Sequence, residues 1–180
     1  MSRIGRAPIA LPSGVTFENK DNLITITGPL GKLSQKVNKS IDVELKDGSI
    51  ICTRHSDDGE HRAMHGLYRA LINNMVNGVT KGFEKIVVAN GVGYKITLTD
   101  KTKLVMNVGY SKPVTFVAPE GITFELPQPL EIAVKGIDRQ LVGQVAASIR
   151  DIRPVEPYHN YGFHYKGETL IHKEGKKAAK

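Results

Sequence analysis

The chain has 180 residues, 40% hydrophobic and 24% charged, a globular balance that excludes wholesale disorder. Lys and Arg number 25 against 18 Asp and Glu, a formal charge of +7, so a polyanionic partner is expected, nucleic acid first and an anionic membrane surface second. Cys52 is the only cysteine, which excludes an intrachain disulfide and a cysteine-based zinc or iron–sulfur site within one chain; with no signal-peptide core or bilayer-length apolar run, a soluble, cytoplasmic protein is expected.

Arg3 and Arg6 precede Pro8 and Pro12, with no acidic residue before Glu18. Gly28-Pro29-Leu30-Gly31-Lys32 lacks phosphate-loop spacing and reads as a turn. Ile41-Asp42-Val43-Glu44-Leu45 alternates apolar and polar residues, the pattern of a strand with one buried face. Lys46-Asp47-Gly48-Ser49 then predicts a hairpin into a strand over Ser49–Arg54, where Cys52 is expected in the core. A helix is expected from Asp57-Asp58, whose carboxylates suit its positive end. Leu67, Leu71 and Met75 would form its apolar stripe, and Asn77-Gly78 its stop. The link between halves would fall around residues 78–83.

Beyond it, Ile86–Ala89 reads as a strand followed by the turn Gly91-Val92-Gly93. Those glycines do not open a dinucleotide fingerprint, because Ile96 occupies the third glycine position and a strand follows. Leu104–Val108 and Ile122–Leu126 are further strand candidates, with Pro119-Glu120-Gly121 as a turn. Asp138 suits the cap of a second helix, Leu141, Val145, Ile149 and Ile152 its stripe, and Pro154 its end. Gly66 and Gly143 would let the two helices approach their sheets.

Three segments recur in order. Leu23–Thr27 resembles Lys95–Thr99 (96 − 24 = 72 residues apart), and Ile41–Leu45 resembles Ile122–Leu126 (122 − 41 = 81). Gly66–Ile72 resembles Gly143–Ile149 (143 − 66 = 77). An internal duplication follows. The expected fold is α+β: two similar domains, each a small, mostly antiparallel sheet packed against one main helix. An N-terminal repeat would span 1–82, and a C-terminal repeat with a basic, aromatic-rich tail 83–180.

No catalytic site emerges. His61 and His65 stand four apart as in a zinc-protease helix, but Arg62 replaces the glutamate base and no third ligand is evident. No metal or cofactor is expected. The C-terminal end is distinctive instead. Lys166, Lys173, Lys176, Lys177 and Lys180 face only Glu168 and Glu174, while Tyr158, Tyr161, Phe163 and Tyr165 are interleaved with His159 and His164. Cations neutralise phosphates and flat rings stack on unpaired bases, so this segment suits RNA.

Several motifs carry a family resemblance. They are Ser2-Arg3-Ile4-Gly5-Arg6-Ala7-Pro8-Ile9 with Leu11-Pro12-Ser13-Gly14-Val15, then Gly28-Pro29-Leu30-Gly31, Asn90-Gly91-Val92-Gly93-Tyr94-Lys95 and Val108-Gly109-Tyr110-Ser111-Lys112-Pro113-Val114. Glu156-Pro157-Tyr158 and Tyr165-Lys166-Gly167-Glu168 complete the set. From end to end the chain resembles protein six of the large ribosomal subunit, in its bacterial form.

The resemblance implies two related α+β domains and a structural, non-enzymatic role supporting translation. The implied partners are large-subunit rRNA (23S type) near the stalk base and neighbouring large-subunit proteins, with translational GTPases docking close by and no membrane. Carried over by position, the implied rRNA-binding residues are Tyr158, Lys166, Lys173, Lys176 and Lys177, with Gly91, Gly93, Tyr94 and Lys95 in the turn. Tyr161 and His159 join them as aromatic neighbours. The chain departs from the family at His159-Asn160-Tyr161-Gly162 and Phe163-His164, where three family cations are absent or replaced by histidine. Their phosphate contacts do not carry over. The rival readings are a free-standing RNA chaperone or regulator, and a metal-dependent hydrolase using His61 and His65.

Overall fold

Stretches of alternating apolar residues joined by two-residue turns fold, along this chain, as antiparallel hairpins. The computed structural model describes residues 3–176. The chain divides into two compact units, one running up to Phe83 and including Ile137–Arg139, the other formed by Glu84–Gly136 and the chain from Gln140 on.

The first unit begins with the short helix α1 (Arg3–Arg6) and strands β1 (Ile9–Ala10), β2 (Thr16–Lys20), β3 (Leu23–Gly28), β4 (Gly31–Lys36), β5 (Ile41–Lys46) and β6 (Ser49–Arg54), followed by helix α2 (Gly59–Thr80). Its strands divide between two sheets, ordered β2-β3-β4 and β1-β6-β5. Lys46 pairs with Ser49 across Asp47 and Gly48, both at positive φ, so the Asp-Gly turn takes the twist a tight hairpin needs. Ile24, Ile26, Ile41, Val43, Ile50 and Cys52 supply the buried face, and α2 covers it with Ile72, Val76 and Val79. Burial pushes the Cys52 thiol up to about 11, with the charge of Arg69 opposing, so it is a core residue and not a nucleophile.

Three details of α2 differ from expectation. Its buried side is His65, Ile72, Met75, Val76 and Val79, whereas Leu67 is 50% exposed. The helix is thus rotated so that β-branched residues, not Leu67, meet the sheets. Asp58 stands at the N-cap, but its carboxylate accepts from Ser56 Oγ at 2.5 Å and makes no capping bond to the helix. Asn77-Gly78 is no stop either. The helix continues to Thr80, and Lys81 and Gly82 close it by donating to the carbonyls of Asn77 and Gly78. Gly78 is buried in the last turn of the helix, where a Cβ would overlap the Ile137 carbonyl.

The second unit comprises β7 (Phe83–Asn90), β8 (Lys95–Asp100), β9 (Lys103–Asn107), β10 (Val114–Val117), β11 (Ile122–Gln128), β12 (Glu131–Gly136), α3 (Arg139–Ile152) and β13 (Gly162–Tyr165). It too has two sheets, ordered β10-β9-β8 and β11-β12-β7-β13. Val142, Val145, Ala146 and Ile149 are the buried face of α3, and Ile122, Phe124, Ile132 and Val134 are buried in the adjoining hairpin. A Cβ at Gly143 would meet nothing within 4 Å, so that glycine serves no close approach.

The order of elements establishes the duplication and corrects one of its alignments. Each unit runs as a three-strand meander, a hairpin and a long helix. The middle strand of the first meander is β3, and of the second β9, so Ile24 and Ile26 correspond to Leu104 and Met106, all fully buried. Their separation is 104 − 24 = 80, close to the 81 and 77 of the other pairs. Leu23–Thr27 therefore does not correspond to Lys95–Thr99, which is an edge strand. The second unit also has a strand without a counterpart: β13 extends its larger sheet along the outer edge of β7.

Candidate nucleic-acid interface

Pro154 cannot continue α3, and the chain turns back beneath it to reach β7. The turn is a closed loop over residues 156–161. Glu156 donates its amide to the Tyr161 carbonyl at 3.0 Å, and the Asn160 amide donates to the Glu156 carbonyl at 3.1 Å. The Glu156 carboxylate accepts from the amides of Tyr158 (2.9 Å), His159 (2.6 Å) and Tyr161 (3.5 Å). Desolvation pushes this carboxyl upward, but the three amide donors, with His159 assisting, outweigh it and hold it below its ordinary value. The loop is thus folded around one carboxylate.

Gly162 ends the loop at φ +135, where a Cβ would lie 2.6 Å from the Pro154 carbonyl oxygen. β13 then pairs with β7 in a register that sets Gly162 opposite Asn90. Asn90 Nδ2 donates to the Asn160 carbonyl at 3.0 Å. This bond joins the loop to the turn that follows β7, so residues 158–161 and 91–95, far apart in sequence, are neighbours.

On the loop, Tyr158 is 51% and Tyr161 37% exposed, and the His159 and Tyr161 rings are stacked with centroids 5.4 Å apart. In the turn, Gly93 is at φ +75 and exposed, Gly91 is half-buried against the Tyr94 ring, and Lys95 is exposed at the start of β8. The Arg153 guanidinium lies over the rings of Tyr94 (6.0 Å) and Tyr110 (5.2 Å), and Tyr110 donates its hydroxyl to the Ile152 carbonyl. Tyr94 is therefore half-buried and packed, not a free ring.

Further along, Tyr165-Lys166-Gly167-Glu168 forms a second self-closed turn. Glu168 accepts from the Tyr165 amide at 2.9 Å and pairs with Arg150 at 2.6 Å. The Tyr165 ring is covered by protein cations, Lys85 at 3.7 Å and Arg150 at 5.1 Å. Lys166 pairs with the largely buried Glu131 at 3.0 Å, so its charge is already partly neutralised. Lys173 donates its amide to the Pro157 carbonyl at 2.8 Å, laying the tail against the loop; Lys173 and Lys176 are exposed. Lys177 lies outside the described residues.

Sequence reasoning gave Glu156, Glu168 and Asn90 no role. The two glutamates offered a signal, being isolated acids in a cationic segment, where a carboxylate has amides to collect. Asn90 offered none.

The histidine pair is structural. His65, 3% exposed, reaches the Cys52 carbonyl through Nε2 at 2.9 Å and Arg54 Nη1 through Nδ1 at 3.0 Å. A carbonyl only accepts and a guanidinium only donates, so the proton sits on Nε2 and the Nδ1 lone pair is engaged. His61 Nδ1 is bonded to Ser56 Oγ at 2.7 Å. Among the described residues, no three His, Cys, Asp or Glu side chains are grouped to hold a metal, and no helix is long and apolar enough to cross a membrane.

Comparison with known proteins agrees with this division into repeats. The family described as Ribosomal protein L6 matches the chain twice, over residues 11–82 and 90–166. The large ribosomal subunit protein uL6 of Clostridium kluyveri is 49% identical over 181 residues, covering all of both chains. Its counterparts in Clostridium perfringens and Clostridium acetobutylicum are 49% and 47% identical over 177 residues, 98% of each chain. With both halves matched and the alignment running end to end, the chain belongs to the ribosomal protein L6 family, structural and non-enzymatic components of the large ribosomal subunit.

Proposed function

We propose that the chain binds large-subunit rRNA through its second unit, near the base of the stalk and beside the docking region of translational GTPases. Neighbouring large-subunit proteins complete its surroundings. The observation that carries this reading is the Asn90–Asn160 bond, which joins the loop of the two exposed tyrosines to the glycine turn before Lys95, while the Lys173 amide on the Pro157 carbonyl lays the cationic tail against the same loop. Rings and cations together match an RNA strand with unpaired bases. Tyr158, Tyr161 and His159 contact bases, and Lys95, Lys173 and Lys176 contact phosphates, with Lys177 continuing the series. Gly91 and Gly93 let backbone approach the RNA, Tyr94 supports their turn, and Lys166 contributes more weakly because Glu131 shares its charge. The stalk-base location rests on family membership.

Sedimentation of the tagged protein from lysate, at low and high salt, tests the assignment. Near-stoichiometric migration with the large subunit at both salts is the expected result. Migration near the top of the gradient at both salts would replace it with a free-standing RNA chaperone or regulator.

A further inference from the structure

Between the loop and the tail lies a cavity of about 490 Å³, lined by Tyr158, His159, His172, Lys173, Glu174 and Gly175. Its size falls within the ~300–1,000 Å³ usual for small-ligand sites. Three of the six lining residues carry flat rings, and Lys173 adds a cation. The walls are built in advance. Glu156 holds the amides of Tyr158 and His159, the His159 ring rests on Tyr161, and the Lys173 amide is anchored to the Pro157 carbonyl.

We propose that this slot receives one unpaired nucleotide of an RNA strand, its base among the rings of Tyr158, His159 and His172 and its phosphate at Lys173. The inference rests on the RNA-binding reading above and sharpens it from a cationic surface to a single-base site. Rings suit a base because every nucleobase presents a π-face, and histidine also supplies ring N–H and lone-pair groups to a base edge. A site made only for phosphate would need cations and amides, not three rings.

The test uses the full chain, followed by amide and aromatic NMR, with three probes: hexa-adenylate RNA, an abasic hexamer with the same phosphates, and adenosine monophosphate. Hexa-adenylate should shift Tyr158, His159, His172 and Lys173 together, the abasic strand should leave the rings unmoved, and the mononucleotide should bind more weakly. Tyr158→Ala should weaken hexamer binding about tenfold, the scale of removing one base–aromatic stack, while Tyr158→Phe retains it. Tyr158 is half exposed, so both variants should fold, and their unchanged core resonances check this.

Shifts confined to lysines, or equal binding of the abasic strand, would overturn the slot. Mononucleotide binding as tight as the hexamer would overturn the assignment to an RNA strand. A parallel filter-binding assay with a large-subunit rRNA fragment separates the two levels. If the fragment binds while the hexamer leaves the rings untouched, the slot alone fails. If neither binds, the RNA reading fails with it.

Discussion

Asn90 and Asn160, 70 residues apart, are joined by a hydrogen bond of 3.0 Å from the side-chain amide of one to the main-chain carbonyl of the other. It fastens a loop after α3 to the turn between β7 and β8, and so sets the spacing of the exposed rings relative to the turn. Asn90→Ala should cost about 1 kcal/mol or less in global stability, the net worth of one exposed hydrogen bond. Its local effect should be larger. Amide exchange over 158–162 should speed up and affinity for an rRNA fragment should fall, with the rest of the second unit unchanged. Unaltered exchange in the loop would show that β13 pairing and the Glu156 amide bonds hold it without Asn90.

The loop should also be acid-sensitive through Glu156. Its carboxyl lies below its ordinary value of 4.5 when folded, because three amides donate to the charged form. A depressed carboxylate stabilises the folded loop fully above the unfolded value, and that contribution is lost as pH falls through the folded value. The amide shifts of Tyr158 and His159 should therefore follow a carboxyl titration whose midpoint lies below the ordinary value of 4.5. Glu156→Gln should produce the opened-loop shifts at neutral pH. A transition centred above the ordinary carboxyl value would contradict the amide cage.

Charge on the tail should act without sequence preference. Replacing Lys173, Lys176 and Lys177 by Ala should flatten the slope of log K against log salt by about 0.7 to 0.9 for each phosphate that is no longer neutralised. Affinities for different RNA sequences should fall by similar factors. An unchanged slope would remove these lysines from the interface.

The rotation of α2 yields a stability contrast. Ile72 is fully buried and Leu67 half exposed, although both are apolar residues of one helix. Ile72→Ala should cost about 2–5 kcal/mol, the sum of the forfeited transfer energy and the cavity left behind. Leu67→Ala should change stability by about 0.5 kcal/mol or less. Urea denaturation midpoints of the two variants compare them directly, and equal destabilisation would place Leu67 in a packed environment that this fold does not give it.

What the sequence determined by itself was local. Alternation over Ile41–Leu45 and Ile122–Leu126, the Asp47-Gly48 turn and the two helices follow from short-range periodicity and backbone preference, which need no distant partner. Duplication was legible for the same reason. Its first alignment failed because Leu-Ile-Thr-Ile-Thr and Lys-Ile-Thr-Leu-Thr share a strand's period whether the strand is central or at an edge; position in the sheet depends on neighbours. Gly78 could equally have ended a helix or admitted a close approach, and only the packing around it chose the second. The basic, aromatic tail pointed by its chemistry to an RNA partner, the reading proposed above. Its arrangement was decided in three dimensions, by β13 pairing with β7, by Asn90 reaching Asn160 and by Glu156 collecting three amides. Those contacts are specified by residues whose own preferences are ordinary, and the physical reason is that a hydrogen bond forms where the fold delivers a donor to an acceptor.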